Sequence, residues 1–205
     1  MRRIASPSRA GLLIAGSTIL VGAVSLGPSA VMRGARLVGG NGGAELVVLI
    51  SLVVAAIGGM TASLSEREPG RERHAKLGVA ALATGLGLAL LAALAAARIE
   101  PGSAGSWGDQ LRCLVKCTLL ALPATTLSLL MLARAAACRP RLAAISAGAG
   151  AAALGAVIVH LACSGAGEPH RLAAQGVAPF VGAVLALPFA RRLVRWSTPR
   201  RVESR

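Results

Sequence analysis

The chain has 205 residues, of which 55% are hydrophobic and only 15% are charged, and its mean hydropathy is +0.68. A soluble domain of this size cannot bury so much apolar surface in one core, so the composition excludes an ordinary soluble protein. A net charge of +14 would suggest nucleic-acid binding in a soluble chain, but here the distribution of the charge has to be considered first.

Six apolar windows are each long enough to cross a hydrocarbon layer about 30 Å thick. Short connections separate them, so successive helices are expected to be antiparallel neighbours. The sequence therefore predicts an all-α polytopic membrane protein in which residues 1–205 form a single integral membrane domain with a bundle of six transmembrane helices. The predicted helices cover residues 11–31, 44–64, 77–97, 113–133, 142–163 and 172–190.

Basic residues are concentrated on one side of these helices. Most of the 22 arginines and lysines lie before the first helix, after the sixth, or in the connections at 65–76 and 134–141. The positive-inside rule places these segments, and both termini, in the cytoplasm. An alternative is that residues 1–30 form a cleaved signal peptide, which would leave the orientation of the other five helices unchanged.

Small residues recur at helical spacing in the third and fifth predicted helices. Such stripes allow helix backbones to approach closely in lipid, so they predict packing rather than chemistry. The stripes are Gly78, Ala81, Gly85 and Ala89, and Ala144, Gly148, Ala151 and Gly155.

The acidic residues argue against ion-coupled transport. A transporter usually carries an acid at mid-membrane, whereas all acids here lie in connections or at helix ends. The sequence also has no phosphate-binding glycine loop, HExxH motif or paired carboxylates. A transporter is therefore the weakest alternative.

Three of the four cysteines are expected at the outer face, where disulfides can form. Cys113 and Cys117 lie near the outer end of the fourth helix, and Cys163 lies at the outer end of the fifth, while Cys138 is cytoplasmic. Cysteines four apart on a helix have Cβ atoms about 5–6 Å apart, but a disulfide needs about 3.8 Å. The better pair is Cys113 with Cys163.

Two polar residues accompany these thiols. Lys116 could lower the thiol pKa by holding its ammonium group nearby, or it could simply anchor the helix at the interface. His160 could complete a soft-metal site with Cys113, Cys117 and Cys163, or it could be a packed, hydrogen-bonded side chain. The cysteines could equally be small buried hydrophobic residues, so the presence of a metal stays open.

An ordered set of motifs between Cys113 and Trp196 resembles the NrsF family of six-helix membrane anti-sigma factors. It comprises Cys113, Leu122-Pro123, Arg139-Pro140, a small-residue-rich helix ending at Cys163, and Arg191, Arg192 and Trp196. The first half of the chain resembles the family only in its hydropathy. The chain departs from the family pattern at Gln175-Gly176-Val177-Ala178, where aromatic residues are usual.

The resemblance implies a non-enzymatic regulator without a cofactor in the bacterial inner membrane. It would sequester an extracytoplasmic function sigma factor on the cytoplasmic side, without contacting nucleic acid, and release it on an envelope signal. Cys113 and Cys163 match the family's two redox- or metal-responsive cysteines, with Cys117, Lys116 and His160 as auxiliary candidates. Candidate partner-binding residues are Arg2, Arg3, Arg67, Arg71, Arg73, Arg139, Arg141, Arg191, Arg192 and Arg195.

A second hypothesis is a small thiol oxidoreductase that exchanges electrons with a quinone. Such enzymes carry closely spaced reactive cysteine pairs, which Cys113 and Cys117 do not form readily on a helix.

Overall fold

The computed structural model describes residues 43–66, 70–99, 107–135, 139–162 and 169–197, and these residues are all-helical apart from short turns. The helices are α1 (Gly43–Ser65), α2 (Glu72–Ile99), α3 (Trp107–Ala135), α4 (Pro140–Ala162) and α5 (Pro169–Ser197). They correspond to the second to sixth predicted helices, with most ends lying a few residues further out. The predicted helix 11–31 lies outside the described residues.

Four of these helices are long and apolar enough to cross a membrane, judged over the described residues. They are α1 to α4, through the windows Leu46–Ser65, Glu72–Ala92, Leu111–Ala133 and Pro140–Leu161. In α5 the apolar stretch that the structure describes covers Gln175–Ala190.

The described helices run alternately up and down, and α4 lies at the centre. It packs against α1, α3 and α5, while α2 packs against α1 and α5. Its burial reflects this position, because 78% of the α4 span is buried compared with 28% of the α2 span. Residues 143–156 of this helix are mostly alanine and glycine, which lets three neighbours approach at once.

Glycines mark the closest approaches between helices. A Cβ atom at Gly58 would lie 2.5 Å from the backbone nitrogen of Leu82, and one at Gly78 would lie 2.5 Å from that of Ala62, so α1 and α2 touch backbone to backbone. A Cβ atom at Gly148 would overlap the carbonyl oxygen of Gly182 on α5. The predicted packing role of Gly78, Gly85, Gly148 and Gly155 is confirmed.

Three prolines lie in the interior of the described helices. Pro123 is inside α3, and Pro179 and Pro188 are inside α5. A proline has no N–H group and cannot donate to the carbonyl four residues earlier. The carbonyl of Gln175 therefore loses its usual helical donor at Pro179.

Candidate functional site

Cys113 and Cys117 form one buried turn on the inner face of α3. Their side chains are 8% and 0% exposed, and both belong to the main apolar cluster with Ala156 and Val159 of α4. Gly155 of α4 abuts the backbone carbonyl of Cys117, so no side chain separates the two helices at this level. We call Cys113 and Cys117 the thiol turn; it is packed directly against the central helix.

The two cations beside the thiol turn lie on a different face of α3. Arg112 and Lys116 are exposed, whereas the residues that follow each of them, Cys113 and Cys117, are buried. Adjacent positions on a helix point about 100° apart. The structure therefore favours the interpretation of Lys116 as an exposed anchor on the outer face of α3 over a position beside the thiols.

His160 is a packed, hydrogen-bonded residue, as one of the two sequence interpretations predicted. Its ring Nδ1 lies 2.8 Å from Oε1 of Gln175, and the two side chains are 8% and 1% exposed. Since the amide oxygen can only accept, Nδ1–H of His160 is the donor. The bond joins α4 to α5 near the helix ends where the thiol turn also lies.

Gln175 belongs to this candidate site, but the sequence analysis did not predict it as a site residue. It was noted only as a departure from a family pattern, although a glutamine inside an apolar helix requires a hydrogen-bond partner. Its position four residues before Pro179 was an available signal, because the proline leaves the Gln175 carbonyl open as well. The partner itself could not be read from the sequence.

No group of three His, Cys, Asp or Glu side chains is close enough to hold a metal ion within the described ranges. Cys113, Cys117 and His160 therefore do not make a metal site by themselves. Cys163 and Cys138 lie outside the described residues, so the predicted pairing of Cys113 with Cys163 stays a prediction.

The His160–Gln175 bond yields a prediction about stability. His160→Leu and Gln175→Leu should each destabilise the protein by about 1–2 kcal/mol, because each leaves one buried polar group without its partner. The double variant should lose about 1 kcal/mol less than the sum. Unfolding by denaturing detergent in mixed micelles measures all three.

A matched control for this cycle is Thr126→Val, which changes an exposed polar residue of α3 and should have an effect within about 0.5 kcal/mol. Strictly additive losses for His160→Leu and Gln175→Leu would contradict an energetically significant bond.

The opposite end of the bundle carries exposed positive charge. The helices alternate in direction, so the end of α1 and the starts of α2 and α4 share this end. We call it the basic end and define it by five exposed residues. These are Arg71, Arg73, Lys76, Arg139 and Arg141.

The other six candidate partner-binding residues fall into two groups. Arg191, Arg192 and Arg195 occupy the last turns of α5, which also ends at the basic end. Arg2, Arg3 and Arg67 lie outside the described residues. The structure thus brings Arg71, Arg73, Arg139 and Arg141 to one end of the bundle.

An apolar groove of about 320 Å³ runs between α3 and α5 over the surface of α4. Thr118 and Thr125 lie along it, and their hydroxyl groups donate to the carbonyls of Leu114 and Ala121. Neither Cys113 nor Cys117 lines this groove. A quinone held there would not contact the thiol turn, so the groove gives the oxidoreductase hypothesis no support.

Comparison with known proteins identifies one family. The family model described as NrsF, negative regulator of sigma F, matches residues 3–196. No curated protein and no solved structure matches the chain. The resemblance drawn from the second half is confirmed, and the match extends over the first half as well. With 3–196 of its 205 residues matched, the chain belongs to the NrsF family of negative regulators of sigma F.

Proposed function

We propose that this protein is a membrane-bound anti-sigma factor that holds an extracytoplasmic function sigma factor at its basic end and releases it on an envelope signal. The family description names a negative regulator of a sigma factor, which implies a sigma factor as partner and a regulatory rather than catalytic role. The observation that carries the proposal is the separation of exposed charge at one end of the bundle from the thiol turn and the His160–Gln175 bond at the other.

The proposed topology is six spans in the bacterial inner membrane, with the basic end and both termini in the cytoplasm. Residues 11–31 would be the first span and α5 the sixth, so the whole chain acts as one membrane domain. The positive-inside rule supports this orientation, because Arg73, Lys76, Arg139 and Arg141 are all exposed at the same end.

The basic end suits a partner with an acidic surface. Complementary charge accelerates association and selects the partner, and exposed arginines give bidentate contacts to carboxylates. The partner surface would be assembled from several short segments, because only residues 136–139 lie between the end of α3 at Ala135 and the start of α4 at Pro140.

At the other end, we assign signal sensing to Cys113 and Cys163. The helix α4 ends at Ala162, one residue before Cys163. Because α3 and α4 are antiparallel, this end of α4 lies on the same side as the start of α3, where Cys113 is. Oxidation or metal binding that links the two positions would pull the end of α4 against the thiol turn. Because α4 is packed tightly on several sides, it would move as a rigid element. A shift at its C-terminal end would therefore displace Arg139 and Arg141 at its N-terminal end.

Co-purification tests the function directly. The tagged protein is expressed with the sigma factor encoded beside it, extracted from membranes, and assayed for bound sigma factor before and after treatment with an oxidant or with zinc. We expect retention in the untreated sample and release by at least one treatment. If no sigma factor is retained under any condition, the assigned function is wrong.

Cysteine variants then test the sensing residues. Cys113→Ser with Cys163→Ser should bind the sigma factor normally but should no longer respond to the treatment, whereas Cys117→Ser should still respond. Cys117 is the matched control, because it is equally buried and one turn away on the same helix. A full response in the double variant would refute sensing through these cysteines without affecting the anti-sigma assignment.

A further inference from the structure

Gly87 differs from the other helical glycines whose surroundings are described. A Cβ atom at Gly58, Gly59, Gly85 or Gly150 would meet the backbone of a neighbouring helix, whereas one at Gly87 would meet nothing within 4 Å. Glycine weakens a helix by about 0.5–1 kcal/mol relative to alanine. An exposed glycine that makes no contact therefore lowers the stability of its helix without any compensating interaction. In lipid, such a position is typical of a helix interface.

Gly87 lies on a continuous exposed seam of α2. The seam comprises Leu77, Ala80, Thr84, Gly87, Leu91 and Leu94, at intervals of three and four residues, and all six are exposed. Such spacing places them along one line on the helix surface, which is the pattern of a helix–helix seam. The three residues in its middle are small. We call this line the outer seam of α2.

The exposed face of α1 shows what a lipid-facing surface of this protein looks like. It carries Leu46, Val47, Ile50, Val53 and Ile57, without a small residue among them. Large aliphatic side chains are as well accommodated by lipid tails as by protein, so this face needs no further partner. The outer seam of α2 differs because its small residues leave room for another backbone.

The segment 11–31 has a matching stripe. Ala15, Thr18, Gly22, Ser25 and Ser29 recur at intervals of three and four residues, and all are small. In a parallel pair of helices the two repeats come into phase when Thr18 faces Ala80, Gly22 faces Thr84 and Ser25 faces Gly87. Small residues then face small residues through the middle of both segments.

The chain connection allows this arrangement. Residues 32–42 join the segment to Gly43 at the start of α1, and α1 and α2 are antiparallel neighbours in contact at Gly58 and Gly78. A segment that crosses the membrane and then enters α1 must run parallel to α2. Eleven connecting residues reach about 36 Å when extended, which exceeds the roughly 20 Å across two successive helix contacts at about 8–10 Å between axes.

We infer that residues 11–31 form a transmembrane helix that packs in parallel along the outer seam of α2. The packing brings the N-terminal residues Arg2, Arg3 and Arg9 beside Arg73 and Lys76 at the start of α2. The N-terminal segment thereby extends the basic end. The positive charges of this segment and of α2 lie close together, which favours an acidic partner that neutralises them. This last consequence rests on the proposed function, whereas the packing does not.

Disulfide crosslinking in the full-length protein tests the packing. Ser25→Cys with Gly87→Cys, oxidised mildly in native membranes, should give an intramolecular link in most of the molecules, because facing small residues bring Cβ atoms within the 3.5–4.5 Å that a disulfide needs. Mass spectrometry of the linked peptides distinguishes it from links to native cysteines. Gly22→Cys with Thr84→Cys provides a second pair if the first variant does not fold.

The matched control is Ser25→Cys with Val53→Cys, which places the second cysteine on the exposed face of α1 and should give no link. Absence of both expected links in folded protein would overturn the inference. A link between two chains through Gly87→Cys alone would also overturn it, in favour of a second copy on the outer seam.

The outcome is separable from that of the proposed function. With both correct, Gly87→Leu should displace the N-terminal segment and reduce sigma-factor binding by about tenfold, while thermal unfolding shows that the α1–α5 bundle persists. If the 25–87 link forms but no sigma factor is ever bound, the function assignment fails and the packing stands. If sigma factor binds and no link forms, the packing fails.

Discussion

Gly148→Ala is expected to destabilise the bundle by about 1–3 kcal/mol, although alanine is the better helix former. The added methyl group would overlap the carbonyl oxygen of Gly182 and approach the Cβ atom of Ala186 at 2.6 Å. The carbonyl belongs to the backbone of α5 and cannot rotate away, so the two helices must separate. The midpoint of detergent-induced unfolding, and the yield of folded protein from membranes, both measure the effect.

Thr126→Ala is the control, because it places an alanine at an exposed position of a described helix. It should change stability by no more than about 0.5 kcal/mol. Equal losses for Thr126→Ala and Gly148→Ala would mean that the α4–α5 approach does not limit stability.

Neutralising two cations at the basic end should weaken sigma-factor binding by about tenfold to a hundredfold. The variant is Arg73→Gln with Arg141→Gln, which removes one exposed charge from α2 and one from α4. A hydrogen bond to a charged group contributes about 1.5–3 kcal/mol. Each substitution should remove part of this contribution from the binding free energy. Titration of the detergent-solubilised protein with purified sigma factor at two salt concentrations gives the dissociation constants.

Arg112→Gln with Lys116→Gln is the control with the same change in net charge, made on the opposite half of the bundle. Its affinity should stay within about twofold of the unaltered protein. Labelling from either side of the membrane should confirm that neither variant has changed orientation. Identical affinities for the two double variants, or the larger loss for Arg112 and Lys116, would show that the partner does not bind at the basic end.

Hydropathy alone predicted the existence and approximate bounds of all five described helices, because a helix that crosses lipid needs a long apolar run. The same reasoning placed Gly148 and Gly155 at helix contacts, since small residues at helical spacing have few other uses in a membrane. It did not predict which helices meet. The contact of Gly148 with α5 and of Gly155 with α3 depends on how α4 is rotated at the centre of the bundle.

The candidate site could be predicted only in part. The exposure of Arg73 and Arg141 follows from their positions near the starts of α2 and α4, and the inward position of Cys113 and Cys117 fits their spacing of one helical turn. The bond between His160 and Gln175 joins residues on different helices, and no local pattern specifies such a pair. Polar residues in an apolar segment indicate that a partner exists, but not which one it is.

The central position of α4 also determines the order in which the protein can assemble. The α1–α2 hairpin has its own glycine contacts, so it can pair as soon as both helices have left the ribosome. The principal interfaces of α3, in contrast, are with α4 and α5, which are synthesised later. A chain interrupted after α3 would hold a paired hairpin and a helix without its neighbours. Synthesis of α4 is therefore the step at which separate helices become one bundle.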